Sequence, residues 1–61
     1  EPSFVRALVG LGRSYLFLSR YQESAQAFED VLRNDPKHEE KDSFKDLADV
    51  MFSWINQKLQ F

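Results

Sequence analysis

The stretch LVGLGRSYLFLSRYQESAQAFEDVLRNDP (residues 8–36) decides the fold. Leu8, Leu11, Tyr15 and Leu18, with Phe4 just before them, recur every three or four residues. That spacing places them on one face of a helix. This first helix is expected over residues 3–19, with the Ser3 hydroxyl available to cap its first amides. Gly10 and Gly12 lie inside it, each costing about 1 kcal/mol against alanine. Close approach of another backbone is the expected reason for both. A second helix is expected from Tyr21 or Gln22 to Asn34, with Tyr21, Ala25, Phe28, Val31 and Leu32 on its apolar face. It stops at Asn34-Asp35-Pro36, because a proline ring disfavours helical geometry in the residue before it. The few residues between the two helices force an antiparallel hairpin.

Downstream, Lys37–Lys41 is charged and contains the chain's single histidine, His38, read as a solvated loop residue. Asp42 or Ser43 is expected to cap a third helix. Its stripe is Phe44, Leu47, Ala48, Met51, Ile55, Lys58 and Leu59, with Val50, Phe52, Trp54 and Phe61 beside or off it. No segment alternates as a strand does, so the chain is expected to be all-α: a helical hairpin over residues 1–36, then a connector and third helix over 37–61.

Composition narrows the function. Sixty-one residues make one small domain, too thin to enclose a large pocket. The chain has no cysteine, which removes disulfides and thiolate metal sites. One histidine argues against a histidine metal cluster or a Ser/His/Asp triad, so neither catalysis, a metal nor a cofactor is expected. Glu39, Glu40 and Asp42 lack the ligand spacing and glycine of a calcium loop. A net charge of −2 and a pI near 5.2 argue against binding nucleic acid through its phosphates. No apolar run is long enough to span a membrane. At 43% hydrophobic residues the chain is too apolar to be disordered. Its cysteine-free composition is compatible with a cytoplasmic location.

An internal spacing organises these elements. Glu1-Pro2 and Asp35-Pro36 stand 34 residues apart. Between them come Leu8-x2-Leu11-Gly12-x2-Tyr15, Ser24, Phe28 and Val31. This pattern resembles the tetratricopeptide repeat (TPR), a 34-residue helix–turn–helix unit. Leu8, Leu11, Gly12, Tyr15, Phe28 and Pro36 match it; Ser24 and Val31 stand where small alanines are usual. Phe44-x2-Leu47-Ala48-x2-Met51 repeats the first-helix spacing at an offset of 36 residues. The third helix therefore looks like the C-terminal capping helix of such an array, and the chain like an α-solenoid fragment.

The resemblance implies a scaffold for protein–protein interaction, an adaptor or co-chaperone that holds a peptide in the concave groove of helices 1 and 3. Carried over by position, that groove is Arg6, Val9, Arg13, Leu16 and Phe17, joined by Phe52. Arg6, Arg13 and Arg20 recur every seven residues and form a basic edge suited to an acidic ligand. Asp49 is expected beside Arg13. Leu16, Phe17 and Phe52 add an apolar floor, so an acidic and apolar tail is the expected partner. The carboxylate clamp that some members use for chaperone tails needs basic residues where Arg6 and Gly10 stand; Arg6 fits and Gly10 does not. Leu11, Tyr15 and Phe28 are expected to fill the space between the paired helices. An alternative assigns the chain a structural role, capping a longer array or self-associating through Trp54 and Phe61. Isolated repeats bury their faces poorly, so further repeats or a second copy are expected to complete the unit.

Overall fold

A computed structural model describes the backbone of residues 2–59 and the side chains of residues 3–57; Phe61 lies outside the described residues. Three helices follow one another: α1 (Pro2–Phe17), α2 (Tyr21–Asn34) and α3 (Lys41–Leu59). The all-α expectation holds, as does the hairpin followed by a third helix.

Helix α1 begins one residue earlier than expected, with Pro2 at its first helical position. There the missing N–H is no loss, and Ser3 lies inside the helix rather than capping it. It also ends two residues earlier. Ser19 adopts a left-handed backbone, φ 61°. The Ser19 amide donates to the Leu16 carbonyl (3.0 Å) and the Arg20 amide to that of Tyr15 (2.8 Å). This pair of bonds is a Schellman cap, normally built on glycine. The Ser19 side chain makes the conformation costly. Ser19→Gly is therefore expected to raise stability by about 0.5–1 kcal/mol. A thermal melt reads this as a Tm higher by about 2–8 °C; an unchanged or lower Tm would contradict it.

Helix α2 starts on Arg20, whose carbonyl accepts the Ser24 amide (3.0 Å) and whose side chain pairs with Glu23 (2.6 Å) while lying over the Tyr15 ring. It ends where Pro36 was expected to end it, with the Asp35 amide closing on the Val31 carbonyl. Helix α3 begins at Lys41, before either expected cap. The cause is the connector: His38 and Lys41 amides close turns on the Asp35 and His38 carbonyls, and the Glu40 amide donates to His38 Nδ1 (3.0 Å). His38 is thus half-buried, its ring 5.2 Å from that of Phe44, and it shapes the turn instead of standing in solvent.

Helix α2 is central. It packs closely against α1 and α3, which make no close backbone contact with each other. With no close α1–α3 backbone contact, the three helices form an open arrangement around α2 rather than a closed bundle, within a Cα envelope of 40 × 20 × 13 Å. Burial follows this layout. Ser24, Ala25, Phe28 and Val31 of α2 are fully buried, and Phe44, Ala48 and Met51 of α3 seal one side of it. Phe28 stacks on Phe44, ring centroids 5.1 Å apart.

On the other side, α1 contributes a different face from the one expected. Val5 and Gly12 are buried, and Val9 and Leu16 are packed against the core. The stripe of Phe4, Leu8, Leu11, Tyr15 and Leu18 is displaced toward the outside: Phe4 is 52%, Leu11 48% and Leu18 61% exposed, with Leu8 and Tyr15 half-buried. The expectation that Leu11 fills the space between the hairpin helices fails for this reason. Gly12 governs the choice. The Phe28 ring lies where a Gly12 Cβ would stand, and Ser24 Oγ donates to the Gly12 carbonyl at 2.7 Å. It is a ring, not a backbone, that makes the close approach. Gly10 has open space around it, so no contact within the described residues requires a glycine there.

Candidate functional site

Because α1 and α3 flank α2 with no close backbone contact between them, the layer is grooved on the side where Val9 and Leu16 emerge from α1. The groove is best formed at the N-terminal half of α1, where a cavity of about 530 Å³ lies between that helix and the α2–α3 connector. Val5, Arg6 and Val9 form one wall, and Asn34, Asp35, His38 and Glu39 the other. Helical geometry places Arg6 and Val9 there, since three residues separate them and both project from one flank of α1. The connector comes opposite them because Pro36 stops α2 and the His38 turns fold the chain back toward α3.

Of the residues expected in the groove, Arg6 and Val9 line this cavity. Arg13 stands about two turns beyond Arg6 on α1 and pairs with Glu40 of the connector at 3.5 Å, not with Asp49. The connector approaches α1 more closely than α3 does, so a connector carboxylate reaches Arg13 first. Both partners are largely exposed, 66% and 49%, so solvent screens the pair and its stabilising effect is at most about 1 kcal/mol. Arg6 makes no ion pair among the described residues. Leu16 and Phe52 are half-buried on the core cluster, one from each flanking helix. Phe17 is 89% exposed at the C-terminal end of α1 and does not line the cavity.

The two residues of the alternative surface differ. Trp54 remains 41% exposed, yet its ring meets that of Tyr21 edge-on at 5.0 Å, so half of it is engaged within the fold. Phe61 lies outside the described residues.

Asn34 at the end of α2 and the connector residues Asp35, His38 and Glu39 were not anticipated as part of the site. Asp35 next to Pro36 announced a turn, but a turn signal does not say which helix the following residues approach. Together the walls offer one guanidinium, two carboxylates, an amide, an imidazole and a valine floor. Such a mixture orients a polar main chain by hydrogen bonds and holds a small apolar side chain. It contains no nucleophile–base pair, and no cluster of three metal-ligating side chains occurs among the described residues. No described helix is long and apolar enough to cross a membrane. No family model matches this chain, and neither a curated protein nor a solved structure is found to match it.

Proposed function

We propose that this chain is a non-catalytic peptide-recognition module of the tetratricopeptide type, acting in the cytoplasm as part of an adaptor or scaffold. The observation that carries this reading is the groove itself: an open layer in which α1 and the connector face each other across about 530 Å³ with Arg6 and Val9 on the wall. The wall chemistry suits an extended segment with an acidic group and a small apolar side chain. Arg6 and Arg13 supply two guanidinium forks on one flank of α1, each able to take a carboxylate through paired hydrogen bonds. The exposed Glu40 partner of Arg13 is weakly held and is displaced at little cost when a ligand carboxylate arrives.

The test uses charge. Arg6 and Arg13 are exposed, so Arg6→Glu with Arg13→Glu is expected to leave the helical spectrum unchanged and to lower the melting temperature only by the few degrees that loss of the Arg13–Glu40 pair entails. Binding of acidic–apolar peptides, read by fluorescence anisotropy against a peptide library, is expected to fall at least about tenfold, the effect of losing one charge-assisted contact. A folded double variant that binds the same peptides equally well overturns the reading.

A second reading is favoured by α3. Its outward residues Asp42, Lys45, Asp46, Asp49, Ser53, Asn56 and Gln57 are all exposed and polar, as suits a helix that closes the end of an array. On this reading the chain serves assembly, with α3 as the terminal cover and Trp54 with Val50 as a small contact patch at its edge.

A further inference from the structure

The apolar stripe of α1 that the fold leaves largely outside, with Leu8 and Tyr15 half-buried and Leu8 also packed on the core, has a regular spacing. Phe4, Leu8, Leu11, Tyr15 and Leu18 are separated by four, three, four and three residues, the seam of a helix made to lie along another helix. Leu18 keeps helical phase although it follows α1, because its amide donates to the Ser14 carbonyl at 3.1 Å. The stripe opens on a groove of about 590 Å³ whose opposite wall is Gln22, Glu23, Gln26, Ala27 and Asp30 of α2. It lies on the far flank of α1 from Arg6 and Arg13, so this inference is independent of the peptide groove.

We propose that this face is a self-association surface, in which two copies pair α1 against α1 in antiparallel fashion about a two-fold axis at Leu11. Four features of the molecule select a second copy as the occupant. First, the ends of the stripe, Phe4 and Leu18, lie seven residues to either side of Leu11, while Leu8 and Tyr15 fall opposite the small Ser14 and Ala7. An antiparallel pair therefore sets Leu11 on Leu11 and Phe4 of one copy against Leu18 of the other. Second, the opposite end of the layer is closed. The outward face of α3 is polar apart from Val50 and Trp54 at its edge, too little apolar surface for copies to stack head to tail on it. A face-to-face pair covers both apolar surfaces at once. Third, the acidic rim is neutralised within each chain. Glu23 pairs with Arg20 at 2.6 Å, and Asp30 pairs with Arg33 at 3.6 Å and accepts from Gln26, so two like rims meet without bare charge against charge. Fourth, the area falls close to the lower limit for a small specific dimer. Sixteen helical residues by two helix widths give a footprint of roughly 24 by 20 Å. With its side-chain relief this approaches the roughly 600–1,000 Å² per partner of small specific dimers. Ser3, Ala7 and Ser14, small and exposed beside the stripe, let the two helices approach closely.

The test is the mass of the intact chain by sedimentation at about 500 µM, above the micromolar Kd expected of a small apolar interface. The expected result is twice 7.2 kDa, reverting to 7.2 kDa for Leu11→Glu. Leu11 is half exposed, so a helical spectrum accompanies each variant, and Leu18→Asp, more exposed still, repeats the test where Leu11→Glu disturbs the fold. The chain has no cysteine, which allows a direct check of register. Under mild oxidation L11C is expected to cross-link to its own copy and D49C, on the polar face of α3, is not. A monomer at that concentration overturns the proposal and leaves the face to a helix of another protein. A dimer that survives both stripe substitutions, or that cross-links through D49C, also overturns it by placing the interface elsewhere.

Discussion

Replacing Phe28 with alanine is expected to abolish the cooperative thermal transition of this chain. Phe28 is fully buried, stacks on Phe44 across the α2–α3 contact, and lies against Gly12 across the α1–α2 contact. It is therefore the side chain through which both outer helices are held to the central one. Truncating a buried phenylalanine to alanine costs about 3–5 kcal/mol, because the transfer energy of the ring is lost and a cavity is left. A chain of 61 residues has a total stability of roughly 3–9 kcal/mol. Over the lower half of that range the loss removes most or all of the stability and leaves a substantial unfolded fraction at 25 °C. An open layer collapses around the cavity less readily than a closed bundle does, since α1 and α3 make no close backbone contact with each other. Circular dichroism against temperature is the measurement: a broad, low-amplitude slope is expected in place of a sigmoidal melt. Phe28→Leu, which keeps most of the apolar volume, is expected to retain the sigmoid at a lower midpoint. A sharp transition for the alanine variant within a few degrees of the parent would show that the three helices do not depend on this ring.

What could be read beforehand follows from which physical signals are local. The start and end of α2 were legible because Pro36 stops a helix by its own sterics and because a short turn must precede Tyr21. The end of α1 was not. Ser19 takes the left-handed cap conformation that glycine usually announces, so periodicity ran on through it. The burial of α1 was misread for a different reason. Two apolar stripes share that helix, Phe4/Leu8/Leu11/Tyr15/Leu18 and Val5/Val9/Gly12/Leu16. Their spacing is the same, and the larger side chains favour the first. The choice between them depends on tertiary contact, above all the room that Gly12 makes for Phe28. The candidate site shows the same division. Arg6 and Val9 follow from helical position, whereas Asn34, Asp35, His38 and Glu39 enter because the connector folds toward α1. His38, alone in a charged run, gave no sign that its ring nitrogen would accept the Glu40 amide and order that fold.

The two glycines of α1 give a prediction in which one substitution acts in opposite directions two residues apart. Both lie within a helix, so alanine at either position gains about 1 kcal/mol in helix propensity. At Gly10 nothing lies within 4 Å of the added Cβ, and the gain stands: Gly10→Ala is expected to raise the Tm by about 4–8 °C. At Gly12 the added carbon meets Phe28 Cε1 at 2.7 Å, Cζ at 2.8 Å and Cδ1 at 3.0 Å. The ring has no easy retreat, because Phe44 stacks on it and the hairpin spacing at this level is also fixed by the Ser24 hydroxyl on the Gly12 carbonyl. Relief requires α1 to move off α2, which lengthens that buried hydrogen bond and opens the apolar contact around Val5 and Leu16. Overpacking of this kind costs about 1–3 kcal/mol, and weakening the hydrogen bond adds about 1 kcal/mol, together exceeding the propensity gain. Gly12→Ala is therefore expected to be destabilising by about 2 kcal/mol, a Tm lower by about 8–16 °C. The comparison cancels the intrinsic helix term, so the difference between the two variants measures the Gly12–Phe28 contact itself. Two variants that both raise the Tm would mean that α1 does not lie against the Phe28 ring, and with that the hairpin packing described here would have to be given up.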